Sequence, residues 1–290
     1  GAHWDTQARI RGLDEWFRKN GKSLDSAKPF FYFQHPHPKD TVNTSGPFTH
    51  DDGTTTRILS AYPNAVAFSG HSHTTLSDDR TLWRGAFTSI GASTLTKKGA
   101  EPNMLLENLF SCLDPVSPAR QGMLVSVYDD KMVIDRRDFF WGEAVDEPWC
   151  IPLPAQAQER SVRIKKSSPP QFADDARVNI IFPKKTGGDG KVRFPPAVAE
   201  AKARAYYYAI TVEHRHGEDV VASHTYRMFS PTAVLPKTHD GDIKRVTFTV
   251  PGSFMPKYDI GDACVTVVPF NSLGAAGKPI STGWIRVPKM

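Results

Sequence analysis

The sequence is poor in cysteine, has no long apolar run and carries no stripe of one charge. Its three cysteines, Cys112, Cys150 and Cys264, are far apart and odd in number, which fits neither a disulfide framework nor a Cys-type zinc site. They read as buried or free thiols. No apolar stretch approaches the ~20 residues that a helical membrane span requires, so no membrane span is expected. The 36 basic and 31 acidic residues are intermixed and sum to a formal charge of +5. A basic face tracking a phosphate backbone is therefore not expected, which argues against nucleic acid as a partner. Internal repeats and low-complexity tracts are also missing. The first residue is Gly1 rather than Met, which reads as a terminus made by cleavage or by design, any targeting segment having been removed.

What remains is ordinary folded-protein composition, 39% hydrophobic and 11% aromatic over 290 residues, enough to bury two modest cores. Residues 5–20 place Ile10, Leu13, Trp16 and Phe17 at helical spacing and close on Asn20-Gly21, predicting an amphipathic helix. The apolar residues 30–33 predict a short buried strand. Asp51-Asp52-Gly53 is placed to cap a helix over 54–62, and Ala65–Ser69 predicts a second buried strand. Helix and strand in this alternation are the pattern of an α/β layer. From Thr81 onward TLWRGAFTSIGAS, GMLVSVYDD and MVIDRRDFF read as strands of one sheet, interrupted by a surface excursion over 97–119. Residues 150–161, with Pro152 and Pro154 among small polar residues, have the composition of a linker. One domain is thus expected over 1–153 and another over 158–290. The second consists of period-two runs broken by Gly, Pro and Asp, predicting an antiparallel all-β sandwich.

Two histidine clusters stand at the ends of the two apolar strands. FFYFQHPHP (30–38) runs into His35 and His37, and AVAFSGHSH (65–73) runs into His71 and His73. Imidazole is the commonest metal ligand, and rigid strand ends hold ligand atoms accurately. Pro36 and Pro38 stiffen the first loop, Gly70 permits a tight turn in the second, and ligands gather outside the carboxyl ends of such strands.

A strand ending in a His-Pro loop, then a helix, a strand and Gly-His-x-His, resembles the later half of the calcineurin-like metallophosphoesterase family, over roughly residues 5–145. The resemblance implies an α/β fold, part of an αββα sandwich. It implies two divalent metal ions (Mn, Zn, Fe or Mg) in the complete enzyme. His35 and His71 would be ligands of the second metal and His73 of the first. It further implies hydrolysis of a phosphate mono- or diester by a metal-bridging hydroxide, with an acid protonating the leaving oxygen. His37, His50, Arg80 and Arg84 are candidates for the substrate rim, the two guanidinium forks being suited to phosphate.

The family's Asp-x-His, Gly-Asp-x-x-Asp and Gly-Asn-His motifs have no counterpart here. The resemblance therefore implies the C-terminal portion of a longer enzyme, completed by an N-terminal segment or chain that brings the catalytic histidine. Three neutral imidazoles offset none of the repulsion between two divalent cations, so this portion is expected to be inactive alone.

Other readings stay open. A catalytically dead binding or structural module would keep the histidine loops as scaffold, and three imidazoles would also suit one zinc with an open position. His214 and His216, two apart on a predicted strand, read as a solvated strand end, and Phe139, Phe140, Trp141 and Trp149 as packing residues. Residues 158–290 resemble a fibronectin type III or immunoglobulin-like module in their period-two strands, the YYY at 206–208 and the closing VTVVPFNSLGAAGKPIS. By analogy, that coupling points to an exported bacterial protein.

Overall fold

The computed structural model describes residues 6–43, 45, 51–95, 110–111, 118–153, 167–185, 187–197, 204–255 and 261–288. Among the described residues strand outweighs helix, 39% to 15%, a β-rich composition. It divides into two compact units, Gly1–Asn108 with Pro115–Arg163, and Leu109–Asp114 with Ile164–Met290. The expected linker at 150–161 lies just before this division, and a piece of the expected excursion belongs to the second unit.

The first unit opens with helix α1, Thr6–Asn20, followed by strand β1, Phe30–Gln34. Helix α2, Thr54–Leu59, then carries the chain to β2, Ala65–Ser69. β1 and β2 are parallel, in register from Phe30↔Ala65 to Gln34↔Ser69, a pairing that needs a crossover such as α2. β3, Leu82–Arg84, and β4, Thr88–Gly91, complete a sheet of order β1-β2-β4-β3 in which β4 is parallel to β2 and β3 antiparallel to β4.

All five residues of β2 are buried, as expected of a parallel strand covered on both faces. Ala65 and Ala67 meet Phe17 of α1 and Ile58 and Leu59 of α2. Val66 and Phe68 face Met132, Ile134, Trp149 and Ile151. These last belong to a separate sheet of β6, Gln121–Val127, β7, Lys131–Asp138, β8, Glu143–Ala144, and β9, Trp149–Pro152. The expectation of one sheet running on from Thr81 is thus corrected: β3 and β4 join the parallel sheet, and β6 and β7 form a hairpin on its far face. The reason is that β4 takes its partner from β2, which leaves the later hairpin to pair with itself. Helix α2 also stops short of the expected Tyr62. The N-cap position falls to Gly53, without a side-chain cap bond; Asp52 Oδ1 accepts the Thr54 N–H at 2.9 Å from one residue farther out, and Asp51 joins Lys39 N–H to the Thr55 hydroxyl.

The second unit packs two sheets around one core. β10, Asn179–Ile181, β11, Gly190–Phe194, and β14, Val246–Val250, form the smaller. β12, Tyr207–His216, is central in the larger, between β13, Asp219–Phe229, and β15, Asp262–Phe270. β16, Ile280–Ser281, and β17, Ile285–Arg286, pair with β15, and β5, Phe110–Ser111, adds in parallel to β13. Val192, Phe194, Phe248 and Val250 interdigitate with Tyr208, Ile210, Val265 and Val267. His214, expected at a solvated strand end, is buried, with Nε2 2.9 Å from the Phe254 carbonyl. Only His216 is exposed.

Candidate functional site

Because β1 and β2 pair in register through Gln34↔Ser69, the residues that follow them emerge at the same carboxyl edge. Gly70 N–H donates to the His35 carbonyl at 3.1 Å, extending the pairing by one step. Beyond it, His71 Nδ1 lies 3.1 Å from His35 Nε2, with the rings edge to face at 88°. One nitrogen carries a proton and the other accepts it.

The backbone that delivers His71 is strained. Ser72 N–H donates to the Gly70 carbonyl at 2.9 Å across His71, whose φ is +68°, and His73 has a φ of +55°. A three-residue turn with positive φ at its centre is rare. Left-handed backbone in a non-glycine residue costs on the order of 1–3 kcal/mol and concentrates at functional sites. Gly70, which reads as the tight-turn residue, leaves that geometry to the two histidines.

The expected convergence of three imidazoles is seen for two. Among the described residues, no group of three or more His, Cys, Asp or Glu is arranged to hold a metal ion. His35 and His71 are brought together, and His73 follows two residues on in a second left-handed conformation.

His37 departs from its expected place on the rim. It is 1% exposed, with Nδ1 2.7 Å from Ser69 Oγ and Nε2 2.8 Å from Ser72 Oγ. Burial, with smaller contributions from His71 and His35, lowers its pKa to about 3. The ring is therefore neutral, one nitrogen donating and the other accepting, and the serine hydroxyls can serve either role. His37 fastens the proline loop to the end of β2 and to the Gly-His-Ser-His turn. Hydroxyls at the strand end satisfy both ring nitrogens, which is why an imidazole can lie inside.

The two arginines expected on the rim part company: Arg80, just ahead of β3, whose first residue pairs with Ile90 near the end of β4, stays at the carboxyl edge, and Arg84 does not. Arg80 gives its fork to the fully buried Asp78, Nε to Oδ1 at 3.0 Å and Nη2 to Oδ2 at 2.9 Å. Asp78 also accepts Arg80 N–H and Asn43 Nδ2, each at 2.9 Å. A carboxylate two residues away wins the fork that a phosphate was expected to take. Arg84 pairs with Thr88, the first residue of β4, because β3 runs against its neighbours. It thus lies at the amino edge of the parallel strands, opposite the histidines. Burial lowers its pKa from the usual arginine value. His50 lies outside the described residues.

A cleft of about 690 Å³ opens beside the histidine edge, reached at Gln34, Ser69 and Gly70 and walled by Phe31, Phe33, Phe68 and the β6 residues Met123 and Val125. Phe33 is 70% exposed and β1 alternates half-buried with exposed residues, so β1 is not the buried strand its apolar run predicts. It is the edge strand of its sheet, and among the described residues no strand pairs with its outer side. The aromatic group near 139–149 is divided: Trp149 is in the core with the Arg136 guanidinium 4.4 Å from its ring centre, while Phe139 and Phe140 are exposed.

Two imidazoles fall short of the three protein ligands usual for a catalytic zinc, and only their spacing accords with one cation. Metal–nitrogen bonds of about 2.0–2.1 Å place two ligand nitrogens of one ion roughly 3.0–3.4 Å apart, and the His35–His71 separation of 3.1 Å lies in that span. Two cations do not fit, since no carboxylate joins the pair in a metal-holding group among the described residues. No protein-family model matches the chain, and no curated protein matches it. Among the described residues no helix is long and apolar enough to cross a membrane.

Proposed function

We propose that this chain supplies the histidine-bearing part of a metal-dependent phosphoesterase acting on phosphate mono- or diesters, followed by a fibronectin III- or immunoglobulin-like module. The observation that carries the reading is the 3.1 Å approach of His35 Nε2 and His71 Nδ1, at the carboxyl ends of adjacent parallel strands and on strained backbone. A divalent cation held there would supply an activated water and positive charge for the developing charge on phosphate oxygens. The chain's own contribution is to hold and orient: His35 and His71 as ligands, His37 as the neutral residue that fixes the turn through Ser72.

The carboxylates needed for a second cation and the catalytic histidine come, on this reading, from a further segment or chain. The outer side of β1 suits it. A strand added there in parallel would end beside His35 and cover Phe31 and Phe33, removing an apolar edge that folded proteins otherwise protect.

A second reading is a catalytically inert scaffold that retains the histidine pair. It is favoured by the absence of a third ligand in the described group. Titrating Mn²⁺ or Zn²⁺ into the chain, with hydrolysis of bis(p-nitrophenyl) phosphate followed in parallel, separates the two. One ion per chain, lost in His35→Ala and in His71→Ala, supports the phosphoesterase reading. An absence of binding, or binding indifferent to both substitutions, supports the scaffold.

A further inference from the structure

We infer that the second unit carries a binding pocket for a small oxyanion ester, a phosphate or sulfate monoester, at one end of the outer face of the β10-β11-β14 sheet. This inference is independent of the histidine site.

The register assembles the pocket. Val192 and Phe194 of β11 point into the core, so the intervening Arg193 stands on the outer face, with Asn179 and Thr247 as its cross-strand neighbours. Arg177 is two residues ahead of Asn179. Lys244 and Arg245 lead into Val246, which pairs with Phe194. These four cations line one cavity of about 490 Å³ with Asn179, Ile181, Phe194 and Pro195. They come from three separate segments, so the sequence shows no basic run there.

Charge makes the pocket unusual. No carboxylate lines it. Among the described residues Arg193, Lys244 and Arg245 form no ion pair, and Arg177 donates only to the carbonyls of Asp174 and Ala176. The Nε of Arg193 is buried with no hydrogen-bond partner. Elsewhere in the same unit, Arg204 is paired with Asp240 and Arg215 with Asp262. Like charges gathered without counter-charge repel one another, and a buried, unsatisfied donor is costly. An anion relieves both.

The chemistry narrows the ligand. Guanidinium forks match the paired oxygens of phosphate and sulfate, whereas lysine adds a point charge. Ile181 and Pro195 offer an apolar wall for the ester's organic part. A cavity of this size suits a small molecule more than a polymer.

The test is calorimetric titration of the full chain with phenyl phosphate, phenyl sulfate and inorganic phosphate, at physiological salt and with a chelator present to silence metal at the histidine loops. Saturable binding of at least one aryl ester is expected, and the tighter of the two identifies the oxyanion. Arg193→Gln and Arg245→Gln should each weaken it about tenfold or more, the loss expected for hydrogen bonds to a charged group. Arg193→Lys, which keeps the charge and loses the fork, should also weaken it. Lys28→Gln, which removes a cation from the other unit, should leave it unchanged. No saturable binding, or an equal loss in Lys28→Gln and the pocket variants, overturns the inference.

Discussion

His35 and His71 are 36 residues apart in sequence, yet their ring nitrogens lie 3.1 Å from one another. The separation is closed by an in-register parallel pairing that ends both strands at one edge, and by a left-handed turn that brings the second ring back to the first. The same edge is held by His37 from beneath.

His37→Ala removes a buried ring and leaves the Ser69 and Ser72 hydroxyls without it. The expected cost is about 2–4 kcal/mol, a cavity together with two lost hydrogen bonds. Urea denaturation followed by a probe in the first unit checks it. Metal affinity at His35 and His71 should fall too, because the turn loses its anchor.

Asp78→Asn tests whether Arg80 is structural. The change removes the buried carboxylate that holds the Arg80 fork, and a loss of up to about 3–5 kcal/mol is expected. Chemical denaturation measures it. Metal affinity at the histidine pair should change little in whatever fraction remains folded.

Much of this arrangement was legible before the structure. Ala65–Phe68 is an apolar run, the strand it opens sits fully buried between two layers, and the histidines after it fall where strand ends collect ligands. The fate of His37 was not legible, because prolines on either side of an imidazole say nothing about which hydroxyls lie above the sheet. The position of Arg84 depends on β3 reversing direction, which three residues cannot reveal. Phe31 and Phe33 misled, because an apolar run shows that a strand exists and not whether a neighbour covers it. The basic pocket stayed hidden because its four cations come from three separate segments of the chain.

Phe33→Ser should leave the stability of the isolated chain within about 0.5 kcal/mol, as for other exposed sites. It should also lower the binding of an apolar fluorescent dye to the cleft. Thermal melts and dye titration report the two effects separately.

Tyr208 gives the second unit a pH dependence. Burial pushes its phenol up to about 12, although its oxygen accepts the Ala197 N–H at 3.0 Å. The unfolded phenol loses its proton near 10, so between these values the folded state holds more protons. Stability from this group is full below about pH 10 and is lost as pH rises toward 12, with a limiting slope of about 1.4 kcal/mol per pH unit. Tyr208→Phe should flatten that part of the alkaline denaturation profile and lower stability at neutral pH by about 1 kcal/mol through the lost hydrogen bond.

The most direct measurement is a long-range ¹H–¹⁵N imidazole spectrum of the full chain during titration with Zn²⁺. Nε2 of His35 and Nδ1 of His71 should move together to metal-bound shifts with one midpoint, while both nitrogens of His37 stay in place. Zinc that leaves the His35 and His71 nitrogens unmoved, or that engages them at separate midpoints, would contradict the account.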